Sequence, residues 1–232
     1  MKQSKINKMN RKDFLKSGLI LGGATLLPTN SVFSQSLIEN KTDLLVDKVS
    51  MTINTFDFIG GDNGDWKVIS SKTVCGLPLE KVSYLDILPS MTTKMNKGIW
   101  TLTGFTSNVR YAEKDEREKL VAVQSDLGRP SATCAALIPI RKTETWWTMA
   151  QDERRKIFEA KSHHTETGLK YLPAIARRLY HCRDIGQPFD FLTWFEYAPQ
   201  DSDKFEELVK SLRETEEWKY VDREIDIRLI KV

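Results

Sequence analysis

The chain has few cysteines and lacks the common nucleotide, hydrolase and zinc motifs. Its three cysteines, Cys75, Cys134 and Cys182, show no CxxC or Cys/His zinc spacing. An odd count argues against a disulfide framework, so buried free thiols are expected. No GxGxxG, P-loop, GxSxG or HExxH pattern is present. These absences argue against dinucleotide-binding, P-loop, α/β-hydrolase and zincin classes.

The chain also lacks a basic surplus once its first residues are set aside. The formal net charge is +3, but residues 1–35 hold six Lys or Arg and one acid. The remainder has 29 basic and 31 acidic residues. A nucleic-acid partner is therefore not expected.

Residues 1–35 have the composition of an export signal. A basic start is followed by a short apolar run, Ser17–Leu27, far below the roughly 20 residues that span a bilayer. The stretch Asn10–Lys16 resembles a twin-arginine signal, with Lys12 in place of the second arginine. We expect cleavage near Gln35 or Ser36, a periplasmic location and no stable membrane span after processing. The alternative is an uncleaved membrane anchor.

The remaining pattern predicts an α+β fold. Strands are predicted over residues 50–59, 66–74, 80–87, 99–111, 132–141, 174–182, 189–197 and 222–232. Helices are predicted over 115–127, 151–161 and 203–213. Pro139 is expected near a strand end or at a sheet edge. The element order is typical of tandem ferredoxin-like units, which we place at 36–130 and 131–232.

Two side chains in the stretch 164–177 suggest chemistry. A neutral imidazole such as His164 is a good axial ligand for haem iron. A guanidinium such as Arg177 can bind a small oxyanion. On a strand, Arg177 and Arg178 point to opposite faces, so one can enter a pocket while the other meets solvent.

An ordered set of motifs places these residues in context. The motifs are Arg141-Lys142-x-x-x-Trp146-Trp147, His164-x-x-x-Gly168-x-x-Tyr171, Arg177-Arg178-Leu179-Tyr180-His181 and the later run 189–196. Together they resemble the chlorite dismutase family over about residues 99–232. The resemblance implies an antiparallel β-barrel flanked by helices, haem b as cofactor and a homo-oligomer. It also implies conversion of chlorite to chloride and dioxygen, with chlorite or another small oxyanion as the bound partner.

The same resemblance implies individual roles. His164 would ligate the iron, and Glu217 would accept the hydrogen bond of its ring. Arg177 would be the distal catalytic arginine. Tyr111, Lys142 and Trp146 would contact the haem propionates, and Trp147 would pack near the macrocycle. His163 remains an alternative ligand, because the helix between Trp147 and His164 is longer than the family usually has.

Two other functions remain open. A coproheme decarboxylase has the same fold, but such proteins typically lack the distal arginine and work in the cytoplasm. An exported haem-binding protein with slight peroxidase activity would use the same pocket.

Overall fold

The computed structural model describes residues 55–90, 98–106 and 111–232. Its described strands are β1 (Thr55–Gly61), β2 (Trp66–Cys75), β3 (Tyr84–Pro89), β4 (Trp100–Phe105), β5 (Cys134–Lys142), β6 (Ala176–His181), β7 (Phe191–Tyr197) and β8 (Val221–Lys231). Its described helices are α1 (Lys114–Val123), α2 (Glu144–Thr148), α3 (Gln151–Arg155), a π-helix (Lys156–Lys161), α4 (His164–Lys170) and α5 (Ser202–Arg213). Short 3-10 turns cover Arg183–Ile185, Pro199–Asp201 and Glu217–Tyr220. The predicted export signal lies outside the described residues.

The strands form one closed barrel in the order β1-β3-β2-β8-β5-β7-β6-β4, with β4 returning to β1. Every neighbouring pair is antiparallel. Among the described strands, closure leaves no free sheet edge that could pair with another chain. The predicted α+β class, with an antiparallel barrel flanked by helices, is confirmed.

Two apolar cores explain the nearly continuous apolar run of β5. Side chains alternate along a strand, so Ala135 and Leu137 face the barrel interior while Ala136 and Ile138 face outward. The outward face is covered by α5, whose buried side chains are Phe205, Leu208, Val209 and Leu212. Both faces of β5 are therefore buried, which accounts for its nearly continuous apolar sequence. The helix predicted over 203–213 is confirmed as α5, and these four side chains form its apolar face.

Several element predictions differ from the structure. Pro139 lies inside β5, which is paired on both sides, and the pairing with β8 resumes at Ile140. The helix predicted over 151–161 is a short α-helix continued by a π-helix. The helix predicted over 115–127 ends at Val123. Helices α2 and α4, of five and seven residues, are too short to leave a clear periodic signal.

The remaining boundaries are only partly tested. Strand β4 ends at Phe105, and Tyr111 has a left-handed backbone (φ 64), so the strand predicted over 99–111 is too long. Residues 50–54 lie outside the described part of the chain. The division into units 36–130 and 131–232 stays a prediction. Among the described residues, no helix is long and apolar enough to cross a bilayer.

Gly104 allows β4 to lie close to β6 where the barrel closes. A Cβ at this position would lie 2.8 Å from Tyr180 Cβ and 3.0 Å from Cys182 Sγ. We expect Gly104→Ala to lower the free energy of unfolding by about 1–3 kcal/mol, because neighbouring core atoms must move. Chemical denaturation of the purified protein measures this loss.

Gly61→Ala is the matched control on β1. There a Cβ meets only Gly98 Cα, at 3.6 Å, which is an ordinary contact. We expect less than about 1 kcal/mol of change for this variant. Equal losses in the two variants would show that close approach at Gly104 does not matter.

Candidate functional site

A cavity of about 620 Å³ lies between the outward face of the barrel and the helices. This volume is within the usual range for sites that bind small molecules and cofactors. Strands β5, β6 and β7 supply one wall through residues such as Ile140, Arg177 and Phe195. The π-helix and α4 supply another through Phe158 and His164. The cavity brings together most of the residues that the sequence analysis selected.

The backbone before α4 determines which histidine faces the cavity. His163 adopts a left-handed conformation (φ 49), and α4 begins at His164. The carboxylate of Glu159 accepts a hydrogen bond from the backbone N–H of Thr165 at 2.9 Å, which holds the start of this helix. The side chain of His163 is 62% exposed and pairs with Glu166, whereas His164 lines the cavity.

Glu217 joins His164 to Lys142. His164 Nδ1 lies 2.6 Å from Glu217 Oε2, and Lys142 Nζ lies 2.7 Å from Glu217 Oε1. Glu217 and Lys142 are both buried. Burial by itself would raise the pKa of the Glu217 carboxyl, but the charges and hydrogen bonds of His164 and Lys142 lower this pKa to about 2. The carboxylate is therefore ionised at neutral pH and accepts from both partners.

Backbone contacts fix this group of side chains. The backbone N–H of Glu217 donates to Ser162 Oγ at 2.9 Å, so the turn that carries Glu217 is attached to the segment before His164. The backbone N–H of Lys142 donates to Asp190 Oδ2 at 2.7 Å. The β5–β8 pairing shifts register between Arg141 and Lys142. Such irregularities re-aim side chains at the ends of strands.

The predicted residues near the haem edge have different surroundings. Trp146 is 1% exposed, lines the cavity, and its Nε1 has no hydrogen-bond partner among the described residues. Tyr111 lines the cavity beside Trp146, with ring centroids 6.2 Å apart. Trp147 is not among the described lining residues, and its indole donates to Asp190. Lys142 lies over the Trp146 ring while bonded to Glu217.

Arg177 supplies a cation to the strand wall. Its Nε is buried and has no hydrogen-bond partner in the described part of the chain. Burial lowers the pKa of the guanidinium from its usual value, because the charged form is poorly solvated. Arg178 is exposed and also lines the cavity, so the two arginines are not divided between the cavity and the solvent as their alternation on a strand predicted. An anion in the cavity would relieve the cost of the half-buried Arg177 charge.

Comparison with known proteins agrees with this geometry. The model of the family described as chlorite dismutase matches residues 78–230. The chain belongs to the chlorite dismutase family. This confirms the resemblance found from the sequence motifs, and extends it upstream of residue 99.

Individual members of the family show the same relationship. The structure of dimeric chlorite dismutases from Nitrobacter winogradskyi is 57% identical, covers 76% of this chain and 99% of that chain, and has a TM-score of 0.72. Chlorite dismutase of Ideonella dechloratans is 32% identical over 127 residues, which is 52% of this chain and 41% of that relative. The alignment thus spans less than half of this relative. A chlorite dismutase from Candidatus Nitrospira defluvii shares the fold, with 18% identity over 79% of this chain and 94% of that chain and a TM-score of 0.54.

Three features of the cavity fit the haem that membership of the chlorite dismutase family implies. Gly168 lies one helical turn after His164, and a Cβ built on it meets no described atom within 4 Å. This leaves open space beside the imidazole for a flat group. Within the described part of the chain, Trp146 Nε1 and Arg177 Nε are buried atoms that still need acceptors. Haem propionates and an anion are acceptors of that kind.

Sequence reasoning did not select four residues that shape the site of this chlorite dismutase family member. Phe158 stacks on His164, Ser162 holds the turn of Glu217, and Asp190 holds the end of β5. Gln124 lines the cavity and donates through its side-chain amide to the Arg177 carbonyl at 3.0 Å. No spacing signal marks Phe158, Ser162 or Gln124, because each contact joins separate elements. Asp190 lies in the run 189–196 that carries the family resemblance, but its contact with Lys142 is not visible in the sequence.

The surroundings of the two adjacent histidines predict opposite effects on haem binding. His164→Ala should remove the Soret band or leave weakly held haem, since it deletes the imidazole that faces the cavity. His163→Ala should bind haem as the wild type does, because that side chain faces outward. Haem titration followed by absorbance makes the comparison. Loss of binding in His163→Ala, with retention in His164→Ala, would show that the ligand is misassigned.

Proposed function

We propose that this chain binds haem b through His164 and converts chlorite into chloride and dioxygen. One observation carries the proposal. A single cavity contains an imidazole bonded to a buried carboxylate, and a guanidinium whose buried Nε has no partner among the described residues. The first is suited to hold iron, and the second is suited to hold a small anion. The 57% identity to the chlorite dismutases of Nitrobacter winogradskyi supports the same assignment.

The proximal residues would set the donor strength of His164. Glu217 accepts the Nδ1–H, which would leave the Nε2 lone pair of His164 available to ligate haem iron. Lys142 keeps the Glu217 carboxylate ionised in a buried position. An anionic acceptor raises the basicity of a ligating imidazole. These three residues would therefore both hold the iron and increase the electron density on it.

Haem iron, when bound, would supply the redox chemistry that breaks the Cl–O bonds of chlorite. Arg177 would bind the chlorite anion and retain the chlorine-containing anion in the cavity until the O–O bond has formed. Because a fixed cation would hold the anion in the cavity, the O–O bond could form without the anion having to return from solution. The apolar strand wall, including Ile140 and Phe195, would limit the water that could carry the anion away.

Trp146, with Tyr111 beside it, would face the propionate edge of the haem. The buried Trp146 Nε1 supplies one donor of suitable geometry. Lys142 was predicted for the same edge, but its contact with Glu217 supports a role on the side of the iron ligand. Trp147 would pack behind the residues that line the cavity, where its indole N–H donates to Asp190.

The presence of Arg177 in the cavity favours chlorite conversion over coproheme decarboxylation, because decarboxylases of this fold typically lack the distal arginine. An exported haem carrier would use the same pocket but would not produce oxygen, so the oxygen yield separates it from a chlorite-converting enzyme.

The homo-oligomer and the periplasmic location belong to the same proposal. The chlorite dismutases of Nitrobacter winogradskyi in the matching crystal structure are dimeric, which supports an oligomer for this chain. The basic, short apolar leader supports export, although it lies outside the described residues.

Arg177→Ala tests the proposed role of the guanidinium. The variant should still bind haem but evolve less oxygen per chlorite and bleach sooner, because the chlorine oxyanion escapes. A lost charge-assisted contact costs on the order of 1.5–3 kcal/mol, which is about ten- to a hundredfold in the step that depends on it. An oxygen electrode measures the yield, and a chlorination probe traps released hypochlorite.

Arg141→Ala is the control, because Arg141 pairs with Asp222 and is not among the described lining residues. It should leave the oxygen yield unchanged. Equal yields and equal trapping in Arg177→Ala and wild type would remove Arg177 from the reaction. A fully haem-loaded wild type that evolves no oxygen would contradict the proposed function.

A further inference from the structure

Phe158 lies against the face of His164. The two ring centroids are 4.3 Å apart and the planes differ by 21°, so the rings are stacked. Phe158 belongs to the π-helix Lys156–Lys161, and His164 begins α4. Both side chains line the cavity. The stack is therefore part of the wall that would carry the iron.

Phe158 also continues a chain of aromatic contacts. Its ring lies 5.6 Å from that of Tyr111, which lies 6.2 Å from that of Trp146. The Lys142 ammonium lies 4.7 Å from the Trp146 centroid. We call the closed circuit of contacts the six-residue ring: its members are His164, Phe158, Tyr111, Trp146, Lys142 and Glu217. Each member lines the cavity.

The two neighbours of His164 in the six-residue ring constrain different motions. The hydrogen bond to Glu217 restrains the position of Nδ1, but within the range that a hydrogen bond tolerates the imidazole can still turn about its Cβ–Cγ bond. A second ring stacked on its face resists that rotation, because turning the imidazole would drive it into Phe158 or open a gap. Together the two contacts define both the direction and the plane of the ligand.

The backbone on either side of the stack is unusual. The segment that carries Phe158 is a π-helix, which is rare and occurs mostly near functional sites. His163, immediately before the proposed ligand, has a left-handed conformation. For most residues this conformation is less populated than the ordinary ones by about a few-fold to a hundredfold. Such conformations persist where surrounding contacts hold them. Here they bring Phe158 and His164 face to face.

We propose that Phe158 is a positioning residue that fixes the ring plane of His164. The inference rests on the proposed function in that it assumes His164 ligates haem iron. The orientation of an axial imidazole is one of the means by which a protein adjusts haem electronics. Phe158 touches the ligand and acts through it.

Phe158→Leu removes the stacked ring and keeps an apolar side chain. In the haem-free protein, the His164 ring protons should lose the upfield NMR shift that the Phe158 ring produces. In the ferrous haem-loaded protein, the Fe–His stretching band in resonance Raman spectra should shift and broaden. Haem loss to an acceptor should be about two- to twelvefold faster, the scale of one aromatic pair. Phe158→Tyr keeps the ring and should restore the wild-type values.

Ile157→Ala is the matched control in the same π-helix. It removes buried volume beside Phe158 without removing the stacked ring, so the Fe–His band should stay at its wild-type position. An unchanged band position and width in Phe158→Leu would overturn the proposal, as would equal changes in Ile157→Ala. If Phe158→Leu shifts the band while the wild type evolves no oxygen from chlorite, the positioning role stands and the proposed function fails.

Discussion

The buried Glu217 carboxylate is the contact on which the site depends. It bonds His164 and Lys142, which lie 53 and 75 residues earlier in the chain. An ionised carboxylate is costly to bury unless cations and donors surround it. Here an ammonium and an imidazole meet that condition. Removing either partner would leave the buried carboxylate poorly compensated, so the end of β5, the start of α4 and the turn of Glu217 are held in one geometry.

The barrel provides the rigid surface for this arrangement. Because the sheet closes on itself, β5, β6 and β7 present fixed outward faces, and the cavity forms where the helices cover them. Lys142 comes from the end of β5 and Arg177 from β6, so the partner of Glu217 and the proposed anion-binding cation lie on one sheet. The helical side contributes the proposed iron ligand, His164, and the turn that carries Glu217. The proposed site is therefore assembled from both layers of the fold.

Sequence patterns predicted the parts that repeat or alternate. The strands of the second half and the helix predicted over 203–213 are of this kind, whereas the choice of His164 and Arg177 rested on the resemblance to the chlorite dismutase family. The π-helix, the five-residue α2 and the left-handed His163 follow from tertiary contacts and leave no periodic signal. Lys142 illustrates the limit: its position in a motif was visible, but its partner is set by a turn 75 residues later.

The reduction potential of the haem-loaded protein tests the central claim most directly. If the Glu217 carboxylate makes His164 a stronger donor, Glu217→Gln should raise the midpoint potential by roughly tens of millivolts, because the ferric form loses stabilisation. Glu216→Gln removes the neighbouring acid, which pairs with Lys219, and should leave the midpoint potential unchanged. A Glu217→Gln potential equal to that of the wild type would contradict the account.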